Sequence, residues 1–249
     1  MTSDDRNMTA TEPVATSITI LGVGPGDAQM LTLRGQQALQ KADLVVGFKT
    51  VLDVVTPWLG DAEVRPMAYR DQEEVLQYAG KQAALGKDCV VCCWGDLNVS
   101  ARELLLRVKR RVDRVELIPG ISSVQMACAK AGISLEDVVF ITLHQRKEPV
   151  SDLLELVHYL NEDKRHVILL PRPYDLMPAA IASRLVEEGI PGSRPLTIFQ
   201  RLSLEGESEW QGSLEECAAL TQEFSDLTIL VFPVPDLHAV KEADAKGVI

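Results

Sequence analysis

The chain has 249 residues, 46% of them hydrophobic and 24% charged. A chain of that length removes about three quarters of its surface from water on folding, so a substantial core is expected. The 25 basic and 36 acidic residues leave a formal charge of −11, which argues against nucleic acid as a partner, because that affinity comes from Lys and Arg against phosphate. No apolar run reaches the roughly 20 residues that cross a bilayer. The polar, acidic start lacks the basic end and apolar stretch of a secretory signal. A cytoplasmic protein with a loose tail over residues 1–16 and no membrane partner is expected.

Strands and helices alternate along the chain. Residues 17–23 read as a strand, 32–42 as a helix and 43–47 as a strand. Val75, Ala79 and Ala83 recur at helical spacing, 89–94 is a continuous apolar strand, and Leu104, Leu105, Val108 and Val112 mark another helix face. A strand over 115–118 ends at Pro119-Gly120, and Val124, Ala127, Cys128 and Ala131 face inward on the helix that follows. Strands at 138–143, 166–170, 196–201 and 227–232 then alternate with helices marked by Leu153, Val157 and Leu160, by Ile181 and Leu185, and by Leu214, Cys217 and Ala218. Residues 208–212 are expected to pair beside 196–201, and 235–249 to form a loose tail.

This alternation predicts an α/β protein with mainly parallel sheets. Two α/β domains are expected, over 17–119 and 120–234. Cys89 and Cys92 have CxxC spacing, but positions three apart on a strand point to opposite faces. The five cysteines, Cys89, Cys92, Cys93, Cys128 and Cys217, are therefore read as structural thiols, and no metal site is expected. The basic cluster Lys109, Arg110, Arg111 and Arg114 is read as a solvated helix end.

Open α/β sheets bind ligands beyond the carboxyl ends of their strands, and three such ends carry glycine. The first is Gly22, Gly24, Pro25, Gly26 and Asp27. A dinucleotide G-x-G-x-x-G would need glycine where Asp27 stands, and no Lys-Ser/Thr follows as a phosphate loop requires. The second is Gly95-Asp96, with Val99 beyond it; Asp96 either binds a ligand's hydroxyls or amine, or caps the next helix. The third is Pro119-Gly120 followed by Ser122 and Ser123, either an N-cap or a ligand contact.

In this order the three loops resemble the GxGPGD, GDP and PGxSS segments of the tetrapyrrole methylases, and the likeness runs over residues 18–232. Thr142-Leu143-His144-Gln145-Arg146 resembles the SLHGR segment of the precorrin-7 C5-methyltransferases, the CbiE type. The chain departs from the family in having Leu97 for the proline after Gly-Asp, and Gln145 for the glycine of the His-Gly-Arg segment.

The resemblance implies a cleft between the two α/β domains with S-adenosylmethionine in it as cofactor, a corrin-precursor substrate and a homodimer. It places the cofactor on Gly95, Asp96, Val99, Ser122 and Ser123, with Pro171, Leu202 and Thr228 around the adenine. It assigns Gly24, Pro25, Gly26 and Asp27 to the substrate floor. His144 is the expected proton-handling residue. Arg146, Arg172 and Arg201, with Lys147, are expected to grip substrate carboxylates. Relatives that methylate ribosomal RNA or a translation factor, and a non-catalytic corrinoid-binding module, are the alternatives. Because the chain ends soon after its last strand, C15 methylation is expected of a separate partner protein.

Overall fold

The structure is a computed structural model that describes residues 15–99, 101–144, 150–173, 175–235 and 237. Its first sheet contains β1 (Ser17–Gly22), β2 (Leu44–Phe48), β3 (Glu63–Met67), β4 (Cys89–Cys93) and β5 (Arg114–Ile118), in the order β3-β2-β4-β1-β5. Every pairing in it is parallel. Its helices are α1 (Leu33–Lys41), α2 (Lys49–Val55), α3 (Gln72–Ala84) and α4 (Arg102–Lys109).

A parallel sheet covered on both faces needs strands that are apolar throughout, and all five residues of β4 are buried. Cys89, Val91 and Cys93 join the core under α3 and α4, while Val90 and Cys92 join the core under α1 and α2. Cys89 and Cys92 thus face opposite sides of the sheet. Among the described residues no His, Cys, Asp and Glu cluster could hold a metal ion.

Neither α2 nor β3 follows from the sequence pattern. The strand β3 lies at the sheet edge and contains Pro66, which an edge position tolerates because one side of the strand has no ladder to complete. Helix α2 starts directly from β2 with no side-chain cap, and buries Val51, Leu52 and Val55.

The second sheet contains β6 (Val138–Thr142), β7 (His166–Leu170), β8 (Pro195–Gln200), β9 (Ser208–Ser213) and β10 (Thr228–Phe232), ordered β6-β7-β10-β8-β9. It is mixed. Only β6 and β7 pair in parallel, and the other three pairings are antiparallel. One face is covered by α6 (Val150–Glu162), α7 (Pro178–Glu187) and α8 (Leu214–Ala218), around Leu156, Leu160, Ile181, Leu185, Leu214 and Phe232. The other face is covered by α5 (Ser123–Ala131), whose Val124, Ala127 and Cys128 pack on Ile168, Phe199, Ile229 and Val231. Helix α5 leaves the rim of the first sheet and lies on the second, so it joins the two.

The basic cluster falls where helix electrostatics favour cations: α4 ends at Lys109. Arg107 and Arg111 grip the Glu73 carboxylate at 2.7 and 2.8 Å. No helix among the described residues is long and apolar enough to cross a membrane.

Candidate functional site

The strands β4, β1 and β5 are neighbours, so their carboxyl ends meet. Val23 N–H donates to the Cys93 carbonyl at 3.0 Å, and Gly24 and Gly95 exchange backbone bonds of 3.1 and 2.9 Å. A Cβ on Gly22 would fall 2.6 Å from the Gly95 carbonyl oxygen and 2.8 Å from the Gly120 nitrogen. One on Gly120 would fall 2.4 Å from the Gly95 oxygen and 2.5 Å from the Gly22 oxygen. These glycines are required by backbone contact, since any side chain would force the three loops apart.

Asp96 does not cap the helix that follows. Its Oδ1 accepts the Asn98 N–H at 2.8 Å and its Oδ2 the Gly120 N–H at 3.1 Å, whereas α4 begins from Ala101 without a side-chain cap. Each carboxylate oxygen retains a further lone pair for a ligand. Ser122 is buried and caps α5: its Oγ accepts the Gln125 N–H at 3.2 Å, and Gln125 Oε1 accepts the Ser122 N–H at 2.8 Å. Gln125, which the strand-end loops alone do not point to, also lines the cleft at this rim, and the Ser-x-x-Gln capping box is its signal in the sequence. Ser123 opens the first turn of α5.

A cleft of about 460 Å³ lies at this rim, within the usual range of small-molecule sites. Asp96, Val99, Gly120, Ser122 and Val124 line it, together with Leu135 and Phe140. A smaller hollow of about 330 Å³ lies at the opposite, amino ends of the strands, between Ser17, Thr19 and Cys89. The Arg34–Glu116 ion pair flanks that hollow at 2.5 Å. It is the wrong end of a parallel sheet for ligand chemistry.

The second sheet brings its own set together. Because β10 runs against both β7 and β8, the ends of β7 and β8 and the start of β10 share one edge. Pro171, Leu202 and Thr228 therefore lie at the same edge and all are buried. They are not among the residues lining the cleft. Leu202 shares an apolar cluster with Val124, and Val99 packs against that cluster. Thr228 Oγ1 donates to the Ser225 carbonyl at 2.5 Å.

His144 follows β6 at the same edge and bonds to the Pro171 backbone carbonyl. Although the residue keeps an exposed side, crowding of its ring by protein lowers its pKa below the usual value. The Pro171 bond and the Asp226 carboxylate oppose that effect in part. The ring is then neutral near pH 7, with one nitrogen donating and the other able to accept.

The cations expected at the substrate are engaged locally. Arg172 makes a forked pair with Asp175, at 2.8 and 2.7 Å, and Arg201 Nε donates to the Glu205 carbonyl at 2.8 Å. Arg146, with Gln145 and Lys147, lies outside the described residues. Gly24 and Gly26 have φ of 88° and 148°, and Asp27 Oδ1 accepts the Gln29 N–H at 2.8 Å. Pro25 sits between the two glycines. Leu97, where the resembled family has proline, is 2% exposed and packs with Leu104 and Val108, so its side chain serves the core.

Known proteins resemble this chain in sequence and in fold. The pattern of the tetrapyrrole (corrin/porphyrin) methylases matches residues 17–218. A probable cobalt-precorrin-7 C(5)-methyltransferase of Methanocaldococcus jannaschii is 32% identical over 216 residues, covering 86% of this chain and 97% of that protein. The precorrin-6Y methylase (CbiE) of Archaeoglobus fulgidus has a TM-score of 0.64 at 24% identity, over 88% of this chain and 98% of that one. The uroporphyrin-III C-methyltransferase of Thermus thermophilus, solved with S-adenosylhomocysteine, has a TM-score of 0.67 at 20% identity, over 90% and 94%. The two solved structures share the fold, and the sequence match fixes the descent: this chain belongs to the tetrapyrrole (corrin/porphyrin) methylases.

Proposed function

We propose that the chain is an S-adenosylmethionine-dependent C-methyltransferase acting at C5 of a corrin precursor, precorrin-7 or cobalt-precorrin-7, in cobalamin biosynthesis. One observation carries this reading. Gly22, Asp96 and Gly120 meet at one rim, in a chain that aligns with nearly the whole of a probable cobalt-precorrin-7 C(5)-methyltransferase.

The cleft fits the cofactor in size, and its donor set suits it. The Asp96 carboxylate would accept from a ribose hydroxyl or ammonium group, backbone from the Gly95 and Gly120 loops would line the sugar, and Val99, backed by the apolar cluster that holds Leu202, would cover the apolar part. S-adenosylmethionine, when bound, supplies an activated methyl group on a sulfonium.

The chain's own task is then alignment and exclusion of water. A displacement with a neutral leaving group gains most from an in-line approach, which a pre-formed cleft provides. Backbone held by inter-strand contacts is well suited to this, because it does not reorganise. The loop of Gly24, Pro25, Gly26 and Asp27 would form the floor beneath the carbon that is methylated. His144, neutral at working pH, would take up or relay the proton that the macrocycle must adjust. Arg172 and Arg201 would meet the substrate's carboxylates from the second sheet's edge.

The same reading takes the enzyme to be a homodimer, and C15 methylation to belong to a separate protein. The test is incubation of the pure protein with S-adenosylmethionine and precorrin-7 or its cobalt form, with the product read by mass and NMR. One new methyl group at C5 supports the proposal. Methylation at another carbon reassigns the substrate, and a folded protein with no affinity for S-adenosylhomocysteine overturns the cofactor as well.

A further inference from the structure

The segment over residues 201–207 follows β8 and is bent by two non-glycine residues in the left-handed region, Arg201 at φ 53° and Ser203 at φ 64°. Residues with a Cβ avoid that region, so such a bend persists only where its surroundings fix it. Here Arg201 N–H donates to the Leu227 carbonyl at 2.8 Å, Leu204 N–H to the Arg201 carbonyl at 2.9 Å, and Glu207 N–H to the Leu204 carbonyl at 3.0 Å. Glu207 completes the frame. Its Oε2 accepts the Ser203 N–H at 2.6 Å, and its Oε1 pairs with Lys130 of α5. Both contacts lower its pKa, Lys130 first.

The bend presses two consecutive residues onto the glycine loop of the first half. The Leu204 side chain occupies the space over Gly26, where a Cβ would fall 2.4 Å from Leu204 Cγ and 2.6 Å from Cδ2. Ser203 Oγ donates to Met30 Sδ at 3.7 Å. The Met30 carbonyl oxygen in turn lies 3.2 Å from where a Cβ on Gly24 would be. The loop is also tethered by the Gly24–Gly95 backbone pair at its start and, at its end, by the Gln29 and Met30 N–H groups, which donate to the Asp27 carboxylate and carbonyl. Between them Gly26 rests on Leu204.

We propose that Leu204 is a positioning residue for methyl transfer, the pressing end of a strap over 201–207 that sets the Gly24–Asp27 floor against the cleft. Lys130 and Glu207 tie this strap to α5, the helix whose first turn carries Ser123 and whose cap is Ser122. The cofactor side and the substrate floor are thereby held by one connected element. The inference rests on the function proposed above, in which that loop lies under the reacting carbon.

The test compares wild type, Leu204→Ala and Leu204→Met by hydrogen–deuterium exchange, S-adenosylhomocysteine affinity and single-turnover methyl transfer. Leu204 is half-buried, so its truncation leaves both sheets folded. In Leu204→Ala, amide exchange over residues 23–31 is expected to rise about tenfold. The transfer rate is expected to fall by about tenfold or more, because displacement by about 1 Å can cost a hundredfold. Affinity for S-adenosylhomocysteine should stay within about twofold, and Leu204→Met should restore loop protection and rate. Unchanged exchange over 23–31 overturns the strap, as does loss of protection spread over both sheets. A wild type that binds S-adenosylhomocysteine but methylates no corrin precursor overturns the substrate reading instead, and the exchange comparison then still decides the strap.

Discussion

Asp96 accepts the backbone N–H of Gly120 at 3.1 Å, and this bond ties the loop after β4 to the loop after β5. With the Asn98 contact it fixes the carboxylate at the mouth of the cleft. Asp96→Ala leaves the half-buried Gly120 donor without its partner, a loss of about 1–3 kcal/mol. Affinity for S-adenosylhomocysteine is expected to fall by more than about tenfold, equivalent to 1.4 kcal/mol. Asp96→Asn keeps one acceptor oxygen and should lie between the two. Calorimetric titration beside thermal unfolding checks this; equal affinity in all three proteins removes Asp96 from the binding site.

Two glycines of the same rim should respond to alanine to different degrees. At Gly120 the new Cβ would meet the backbone oxygens of Gly95 and Gly22 at 2.4 and 2.5 Å, which no side-chain movement relieves. About 3 kcal/mol of stability should be lost, and S-adenosylhomocysteine binding with it. At Gly95 the nearest atom is 3.6 Å away and the only obstacle is a φ of 59°. That costs roughly 1–2 kcal/mol, and binding should survive. Denaturant unfolding and titration of both variants check the pair.

The buried thiols are expected to be inert in the folded state. Burial pushes Cys93 and Cys217 up to about 12 and Cys89 to about 11, and raises Cys92 and Cys128 as well. Asp96 adds to the effect at Cys93. Since the thiolate is the reactive form, about one Cys89 in a thousand would be reactive at pH 8 even if reagent could reach it. An aromatic disulfide reagent should titrate none of the five cysteines within minutes under native conditions, and all five after unfolding. Fast reaction of one native thiol would reveal local opening of the strand or helix that carries it.

The parts of the fold legible in the sequence are those where burial alone sets the pattern. The strand β4 is apolar at every position because helices cover both its faces, and this reads directly as a strand. The edge strand β3 is mostly exposed and interrupted by Pro66, so neither alternation nor a continuous apolar run marks it. Strand direction in the second sheet was not legible either: local pattern records which face a residue buries, whereas β7, β8 and β10 take their mutual directions from connections elsewhere. At the site, glycine content and position after strands picked out Gly22, Gly95 and Gly120. That Gly26 rests on Leu204 was beyond reach, because a contact between loops so far apart leaves no periodicity at either end.

His144 offers a test in pH. Its pKa is lowered chiefly by desolvation, with the Pro171 bond and Asp226 opposing. As a proton acceptor it works only when neutral, so methyl transfer should be flat above about pH 6.5, the ordinary histidine value. The rate should decline only as pH drops through the lower folded pKa. A histidine with a depressed pKa also favours the folded state at high pH and loses that preference as pH falls below its unfolded value, so stability and rate should weaken in the same acid direction. His144→Ala separates the two. If the imidazole handles the proton, the acid limb of the transfer rate disappears and the plateau drops by about 10²-fold, while S-adenosylhomocysteine affinity is retained. If the ring only holds the Pro171 carbonyl, the variant keeps the wild-type plateau and loses about 1 kcal/mol of stability instead. Rate–pH profiles of the two proteins, each with its own unfolding curve, distinguish these results.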